Sequence, residues 1–408
     1  MIINFSIENF MSIKDKQVLS FEVSEKDKLN DSCRKILGKS FCNTIASVLG
    51  NNASGKTNIL KALSFLLWFS KNSYAIRSVE DYGPMVLPHM LSKKKNSLFE
   101  LVFEKNGTEY LYKLQLNNRE IEYEYLGFKK ERGFSYLYEI KKGKEGLDFL
   151  KWSDKLGKLN ENDKKRFLSM KLCSLFSFLS AMGYLSSLNM DLLYSYTTNV
   201  GPAGKGNEDV FNIFIKESSL LKQNLERREK IENFLTECDL GFAGFAFQKS
   251  VVVEHKKGMP EETKELDLLG VKHKTANARF SLTLLQESNG TQKIISLLDK
   301  IFGVLEKGGT AIIDELEDSL HPYLVKKIIY LFKSPARNPL NAQILFSTHS
   351  PILLEECTKT QIFLVEKTEE LASELYRLDE VEGARNCDNF CAKYLAGTYG
   401  AVPQGRWF

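Results

Sequence analysis

The chain has 408 residues, of which 43% are hydrophobic and 26% are charged. This balance is typical of a folded globular protein and excludes a chain that is disordered throughout. The net charge of +4 is too small to identify a nucleic-acid-binding protein by charge alone. The seven cysteines include no C-x-x-C pair, so neither a structural zinc site nor a disulfide framework is predicted.

Two stretches bear on the compartment. The first ten residues, MIINFSIENF, lack the basic segment and apolar run of a signal peptide, which favours a cytoplasmic protein. Residues 172–190 carry no charge and are long enough to span a bilayer. They also contain five serines, a glycine and an asparagine, which favours a helix buried in protein. We therefore expect no membrane association.

The N-terminal part of the chain predicts strands followed by a helix. Apolar side chains alternate from Ile3 to Ile7, and residues 18–23 predict a second strand. An apolar run at 44–49 ends at Gly50, as in a buried strand that leads into a glycine loop. Residues 58–69 are apolar on most sides and predict a buried helix.

Residues 98–128 predict an antiparallel meander. Asn106-Gly107 lies between two alternating runs, which is a strong hairpin signal, and Asn117-Asn118 begins a second turn. Residues 93–171 carry 19 Lys and Arg against 13 Asp and Glu. Such a region is either a surface for nucleic acid or a solvated lysine-rich face, and both interpretations stay open.

The remaining chain predicts a helical segment and then an α/β pattern. Residues 161–237 have a helical pattern without a sustained heptad repeat, so no long coiled coil is expected. Residues 242–253 predict a strand, and residues 254–277 predict a charged hairpin or loop. Apolar strands then alternate with helices, as in an α/β domain.

The motif at 50–57 matches G-x-x-x-x-G-K-[ST] in full. Its glycines let backbone N–H groups surround a phosphate, and the following helix adds its positive dipole end. Lys56 is expected to reach the β- and γ-phosphates, and the Thr57 hydroxyl is expected to hold Mg²⁺. The predicted phosphate-binding residues are Asn51, Asn52, Ala53, Ser54, Gly55, Lys56 and Thr57.

Three further elements complete a predicted nucleotide site. Asp314 and Glu315 end an apolar strand, where Asp314 is suited to support Mg²⁺ and Glu315 to act as the general base. His349 follows the next strand and is expected to hydrogen-bond the γ-phosphate at the same sheet edge. The third element is at the start of a predicted helix and consists of Ser288, Asn289, Gly290 and Thr291. It would be either a second phosphate-binding cap or an ordinary helix N-cap.

These four elements, in this order, resemble the ABC-type ATPases of the SMC/Rad50/RecF-like branch. The run DELEDSLHP, the turn FSTHSP and the tail YLAGTYGAVP are similar to those of the AAA-15 (RloA/AbiL/OLD-like) group. In this resemblance, residues 50–57 are Walker A, and Asp314 and Glu315 end Walker B. Residues 316–321 are the D-loop, and His349 is the switch histidine. Residues 288–291 stand where the family usually has the LSGGQ signature.

The resemblance implies an α/β ATPase head with a mixed sheet, an antiparallel meander and a short helical insertion. It divides the chain into an N-terminal half of the head (1–160), the insertion (161–235) and a C-terminal half (236–408). ATP and Mg²⁺ are the implied cofactors. Each ATP would lie between Walker A of one chain and the signature loop of another, in a homodimer or higher homo-oligomer. The Q-loop glutamine is not located by pattern, and Gln115 is a weak candidate.

Members of the AAA-15 group often serve antiphage, abortive-infection defence together with a separate effector, a nuclease or a toxin. The resemblance therefore implies an ATP-hydrolysing switch, and a RecF/Rad50-like DNA-repair ATPase is the alternative that the basic region favours. A transporter subunit is disfavoured by the N-terminal segment and the S-x-G-T loop. Residues 362–370 resemble the glutamate motif that opens a Toprim domain, but we predict an ordinary strand at 362–365. The tail at 394–403 is a candidate for docking a partner.

Overall fold

The fold is described from a computed structural model. It covers residues 1–25, 31–36, 40–75, 86–142, 147–156, 177–185, 196–200, 218–238, 241–254, 262–275 and 277–402.

Seven strands form an antiparallel sheet in the order β11-β10-β9-β8-β7-β1-β2. The predicted meander and its Asn106-Gly107 turn are confirmed, and both turn residues have positive φ, at 51° and 74°. The meander continues for two strands beyond the predicted end at residue 128. The strands are β1 (Ile2–Glu8), β2 (Gln17–Ser20), β7 (Ser97–Lys105), β8 (Thr108–Leu116), β9 (Ile121–Lys130), β10 (Gly133–Lys142) and β11 (Leu147–Trp152).

The single strand predicted at 18–23 is two strands in different sheets. The chain leaves β2 at Phe21, whose N–H donates to Ile3 O and whose carbonyl accepts from Asn43 N. Phe21 is buried, so the backbone turns where this ring enters the core. The chain then joins a small antiparallel sheet of β3 (Glu22–Val23), β4 (Cys33–Lys35) and β5 (Phe41–Asn43).

A second large sheet has the order β12-β16-β17-β6-β18-β19 and is parallel apart from β19. Both of its faces are covered, which explains why its strands are apolar throughout. Successive residues of β6, Ile45 and Ala46, belong to cores on opposite faces. The strands are β6 (Ile45–Gly50), β12 (Tyr196–Thr198), β16 (Thr310–Ile313), β17 (Gln343–Ser347), β18 (Ile362–Lys367) and β19 (Ser373–Arg377).

Helices cover both faces of this parallel sheet. The first described helix packs between it and the seven-stranded sheet, while the helices of the C-terminal half cover the other face. The predicted α/β fold class with a mixed sheet and an antiparallel meander is confirmed, while most of the predicted helical insertion at 161–235 lies outside the described residues. The α-helices are α1 (Lys56–Asn72), α2 (Phe178–Leu185), α3 (Leu225–Thr236), α4 (Asn289–Leu305), α5 (Pro322–Lys333) and α6 (Phe390–Leu395).

A third antiparallel sheet precedes α4. It consists of β13 (Phe242–Glu254), β14 (Glu262–Lys274) and β15 (Arg279–Thr283). The predicted strand at 242–253 is confirmed, and of the two interpretations for 254–277 the hairpin is correct. β15 then leads directly to the 288–291 loop through a short 3₁₀ turn, Leu284–Gln286.

The uncharged stretch 172–190 is described at 177–185, where it begins α2. Phe178, Leu179 and Ala181 are buried in the core beside α1. The N-terminus of α2 is held by Glu124 of β9, whose carboxylate accepts from the backbone N–H groups of Phe178 and Leu179. Burial raises the pKa of Glu124. Within the described ranges, no helix has both the length and the apolar character needed to cross a membrane.

The C-terminal tail packs against its own chain. Tyr394, Tyr399 and Ala401 are buried, and the Tyr394 hydroxyl donates to Ala401 O at 2.9 Å. Glu366, at the end of β18, accepts from Ala401 N at 3.1 Å. Tyr394, Tyr399 and Ala401 therefore cover the chain's own core, while Leu395 is 65% exposed, and docking of a partner by the tail stays a prediction. The ordinary strand predicted at 362–365 is confirmed by β18.

Candidate nucleotide-binding site

The phosphate loop (50–57) joins β6 to α1, and both of its glycines are required by crowding. Gly50 has φ 154°, and a Cβ there would lie 2.1 Å from Val365 O. Gly55 has φ 111°, and a Cβ there would lie 2.0 Å from the Ser373 Oγ. No side chain fits at either distance, so neighbouring elements press directly on the loop backbone.

A chain of hydrogen bonds braces the loop from outside. Asn58 Nδ2 donates to Ser12 Oγ at 2.7 Å, and Ser12 Oγ lies 2.7 Å from Ser373 Oγ. Ser373 Oγ donates in turn to the carbonyl of Ser54 at 2.5 Å. The brace therefore connects the β1–β2 turn and the β18–β19 hairpin to the loop. Sequence reasoning missed it, because single serines carry no recognisable pattern.

Lys56 lies inside the loop. Its side chain is buried, and Nζ donates to the carbonyls of Gly50 and Asn51, each at 2.9 Å. Burial lowers the pKa of Lys56, and the nearby charges of Asp314, Glu315 and Glu317 oppose that effect. The ammonium is thus a desolvated cation that gains when an anion enters the loop.

Other groups of the loop also suit a phosphate. Within the described ranges, the buried Ser54 Oγ has no hydrogen-bond partner, and its hydroxyl is able to donate to a phosphate oxygen. Helix α1 has neither a side-chain cap nor an acidic residue in its first turn. Its N-terminal N–H groups and positive dipole are therefore directed at the loop, where a phosphate would satisfy them. Asn52 and Ala53 are exposed at the tip, and Ala53 has φ 60°.

Asp314 lies against the phosphate loop. Its Oδ2 accepts from Thr57 Oγ1 at 2.9 Å, across 257 positions of sequence, and its Oδ1 accepts from Ser347 Oγ at 2.5 Å. A hydroxyl and a carboxylate at one point form the hard oxygen donor set that Mg²⁺ prefers. In the part of the chain that the structure describes, no cluster of three or more His, Cys, Asp or Glu side chains could hold a metal. Ligands beyond these two would be phosphate oxygens and water.

Glu315 and His349 meet at the same sheet edge. His349 Nε2 lies 3.4 Å from Glu315 Oε1, and the two side chains are 38% and 53% exposed. Glu315 has φ 51°, a left-handed conformation uncommon for a residue with a Cβ, and Ser347 Oγ accepts its N–H at 2.8 Å. The structure thus brings together the predicted base and the predicted switch histidine. Both remain open enough to meet a nucleotide.

Asn199 is a site residue that sequence reasoning missed. Its Nδ2 donates to Asp314 O at 2.9 Å, and its Oδ1 accepts from Asp314 N at 2.8 Å. It follows β12, which lies within the stretch predicted to be helical and instead pairs in parallel with β16. That prediction is wrong at 196–198, because a three-residue strand is too short to produce a periodic signal.

We expect Asn199→Ala to weaken Mg²⁺-dependent nucleotide binding several-fold. The change removes two hydrogen bonds of about 1 kcal/mol each that hold the Asp314 peptide, so the carboxylate loses its fixed position. Calorimetric titration with ATP at several Mg²⁺ concentrations measures the effect. Asn233→Ala, an exposed asparagine on α3, is the matched control. An unchanged Mg²⁺ requirement would show that Asn199 does not position Asp314.

The 288–291 loop opens α4 as predicted. Ser288 Oγ accepts from Thr291 N at 3.1 Å and lies 2.9 Å from Thr291 Oγ1, and both Ser288 and Asn289 are exposed. Gly290 faces the D-loop, where an added Cβ would lie 2.9 Å from Ser319 O. Within the described ranges, no hydrogen bond joins this loop to the phosphate loop of the same chain.

Gln115 lies on β8, paired with Leu98 on one side and Tyr123 on the other. It therefore belongs to the meander of the seven-stranded sheet, while the phosphate loop and Asp314 belong to the parallel sheet.

Comparison with known proteins identifies the family of the chain. A family model described as "AAA domain, putative AbiEii toxin, Type IV TA system" matches residues 45–159 and 208–355, which include all four motifs. No curated protein matches the chain.

Solved structures of SMC heads are similar at low identity. The SMC head domain from Thermotoga maritima is 15% identical, with 92% of this chain and 98% of that chain covered and a TM-score of 0.40. An SMC head bound to the C-terminal winged-helix domain of ScpA is 12% identical, with 92% and 97% covered and a TM-score of 0.42. A head with an extended coiled coil, bound to the C-terminal domain of ScpA derived from Pyrococcus furiosus, is 13% identical, with 93% and 97% covered and a TM-score of 0.39. Since the family model covers more than half of the chain, the chain belongs to the family of AAA-type ATPase domains described as putative AbiEii toxins of type IV toxin–antitoxin systems.

Proposed function

We propose that the protein is an ATP-binding and ATP-hydrolysing switch of a bacterial antiphage, abortive-infection-type defence system. It acts through ATP-dependent dimerisation and a separate effector, a nuclease or a toxin. The observation that carries the ATPase part is the contact between Thr57 and Asp314 at 2.9 Å, beside a buried Lys56. The family description, which names a toxin of a toxin–antitoxin system, supports the defence part.

The roles in the reaction follow from these positions. Lys56 would move from its two loop carbonyls to the β- and γ-phosphates, where its desolvated charge has a stronger partner. Thr57 and Asp314 would hold Mg²⁺, which when bound neutralises charge on the phosphate oxygens. Glu315 would take a proton from the attacking water, and His349, 3.4 Å away, would contact the γ-phosphate side.

A complete site requires a second chain. The sequence has one phosphate loop and one 288–291 loop, and the latter is exposed and bonded to its own helix. Ser288, Asn289, Gly290 and Thr291 would cap the γ-phosphate held by the partner's phosphate loop. The simplest assembly is an isologous homodimer that encloses two ATP molecules, where ATP joins the chains and hydrolysis releases them. Higher homo-oligomers would repeat this contact.

Two observations favour a separate effector over direct action on nucleic acid. Glu366, the residue that resembles a Toprim glutamate, is engaged by the tail through Ala401. Three lysines of the basic region are paired with glutamates, in the pairs Lys113–Glu100, Lys129–Glu109 and Lys151–Glu139. This pairing reduces the positive charge available to a phosphate backbone. It weighs against the DNA-repair alternative.

The test uses the purified protein with ATP, Mg²⁺, plasmid DNA and tRNA. Phosphate release and the integrity of both nucleic acids are followed together, with Glu315→Gln as the control. We expect phosphate release with intact nucleic acid. Cleavage that disappears in the variant would mean that the chain is its own effector, and absence of phosphate release would contradict the ATPase proposal.

The defence part is tested in cells. The chain and its neighbouring genes are expressed in a bacterium that is then challenged with phage. We expect protection that is lost with Glu315→Gln and also lost when the neighbouring effector gene is removed. Protection by the chain alone would contradict the separate effector.

A further inference from the structure

Glu317 lies two residues beyond Glu315 and has no role in the site as described above. Its Oε1 accepts the backbone N–H of His349 at 2.5 Å. Its other oxygen, Oε2, is buried, and within the described ranges no donor reaches it. The negative charge of Glu317 acts on Lys56, so this carboxylate lies within electrostatic reach of the phosphate loop.

The hydrogen bond between Glu317 and His349 is one of three that join residues 315–317 to residues 347–349. Each of the three consecutive residues 315–317 bonds to either Ser347 or His349. Glu315 N donates to Ser347 Oγ at 2.8 Å, and Leu316 N donates to Ser347 O at 3.1 Å. Glu317 then accepts from His349 N. These three hydrogen bonds therefore join the segment that contains the predicted base, Glu315, to the turn that contains His349.

The orientation of the His349 peptide depends on Glu317. In the turn after β17, Thr348 N donates to Val48 O at 3.0 Å, and Ser350 N donates to Thr348 Oγ1 at 3.0 Å. The N–H of His349 lies between these two and is bonded to Glu317. A peptide whose N–H has lost its acceptor is free to rotate, and the direction of the His349 side chain rotates with it.

We propose that Glu317 is a positioning residue for ATP hydrolysis that acts through His349. The hydrogen bond to the backbone directs the imidazole at the γ-phosphate and keeps it beside Glu315. This inference rests on the proposed ATPase function. The inferred role depends on the acceptor oxygen of Glu317. Glutamine, whose amide oxygen can accept the same hydrogen bond, should therefore retain the role, and alanine, which has no acceptor, should lose it.

The test compares steady-state ATPase kinetics of Glu317→Ala and Glu317→Gln with the unchanged protein. We expect Glu317→Ala to lower kcat about tenfold, the effect of losing one charge-assisted hydrogen bond, with KM for ATP unchanged. We expect Glu317→Gln to restore most of kcat. Glu382→Gln, an exposed glutamate in the C-terminal segment, controls for loss of charge alone. Melting temperatures of all variants identify any that are misfolded.

A double-mutant cycle with His349→Ala identifies the route. We expect His349→Ala to lower single-turnover hydrolysis and Glu317→Ala to add no further loss in that background. Additive losses, full activity of Glu317→Ala, or equal defects of the Ala and Gln variants would each overturn the proposal. Absence of hydrolysis by the unchanged protein and by Glu382→Gln would contradict the proposed function instead.

Discussion

Lys56→Ala is expected to abolish measurable ATP binding. The ammonium is the main counterion for the β- and γ-phosphates, and its loss removes charge-assisted hydrogen bonds worth about 3 kcal/mol or more. That corresponds to a loss of about 100-fold or more in affinity. Binding is measured by calorimetry and by the rise of melting temperature when ATP and Mg²⁺ are added, which mass action predicts for the unchanged protein.

The fold should survive this substitution. Lys56 is buried, and among the described residues its Nζ donates to two backbone carbonyls. Burial lowers its pKa, so the charged form is disfavoured without a phosphate. We therefore expect the melting temperature without nucleotide to be little changed. Lys71→Ala, an exposed lysine at the other end of α1, is the matched control and should bind ATP normally. Unchanged nucleotide affinity in Lys56→Ala would contradict the assignment of the site.

Glu315→Gln is expected to bind ATP and to hydrolyse it about 100-fold to 1,000-fold more slowly. The amide has the shape of the carboxylate but cannot accept a proton from water, and general-base catalysis contributes factors of this order. The hydrogen bond from Glu315 N to Ser347 Oγ involves the backbone, so the positive φ and the local geometry persist. Phosphate release measures the rate.

The same variant is expected to accumulate as a dimer when ATP is present. If ATP binding holds two chains together and hydrolysis separates them, a variant that hydrolyses ATP slowly remains in the ATP-bound dimer. Light scattering behind a sizing column, with and without ATP, measures the mass. Glu382→Gln should remain at the mass of the unchanged protein. Full turnover by Glu315→Gln would mean that another group is the base, and a monomer with bound ATP would contradict the two-chain site.

Several elements with a local signal were predicted from the sequence, although the two last strands of the meander were not. The Asn106-Gly107 turn specifies a hairpin through the positive φ of both residues, and the alternating runs around it specify which faces are buried. The phosphate loop is recognisable because its glycines, lysine and threonine serve one ligand within eight consecutive residues. The apolar runs of the parallel strands follow from burial on both faces.

Contacts between distant segments were decided only by the tertiary structure. Asn199 holds Asp314 across 115 positions, and Ser12 braces the phosphate loop through Ser373 across 361 positions. Each depends on which strands become neighbours, and strand order is not encoded in periodicity. Small polar residues of this kind occur throughout any chain, so nothing local distinguishes these two from others.

The tail (394–403) and the 18–23 segment also show that long-range packing cannot be predicted from local sequence. The apolar and aromatic character of the tail was visible in the sequence, but a buried face has the same composition whether it covers a partner or the chain's own core. In the structure Tyr394, Tyr399 and Ala401 cover the chain's own core, where Glu366 accepts from Ala401 N, and Leu395 stays exposed. The break at Phe21 likewise follows from a ring that enters the core. Local chemistry therefore determined the elements and the phosphate loop, while long-range packing determined which side chains complete the site.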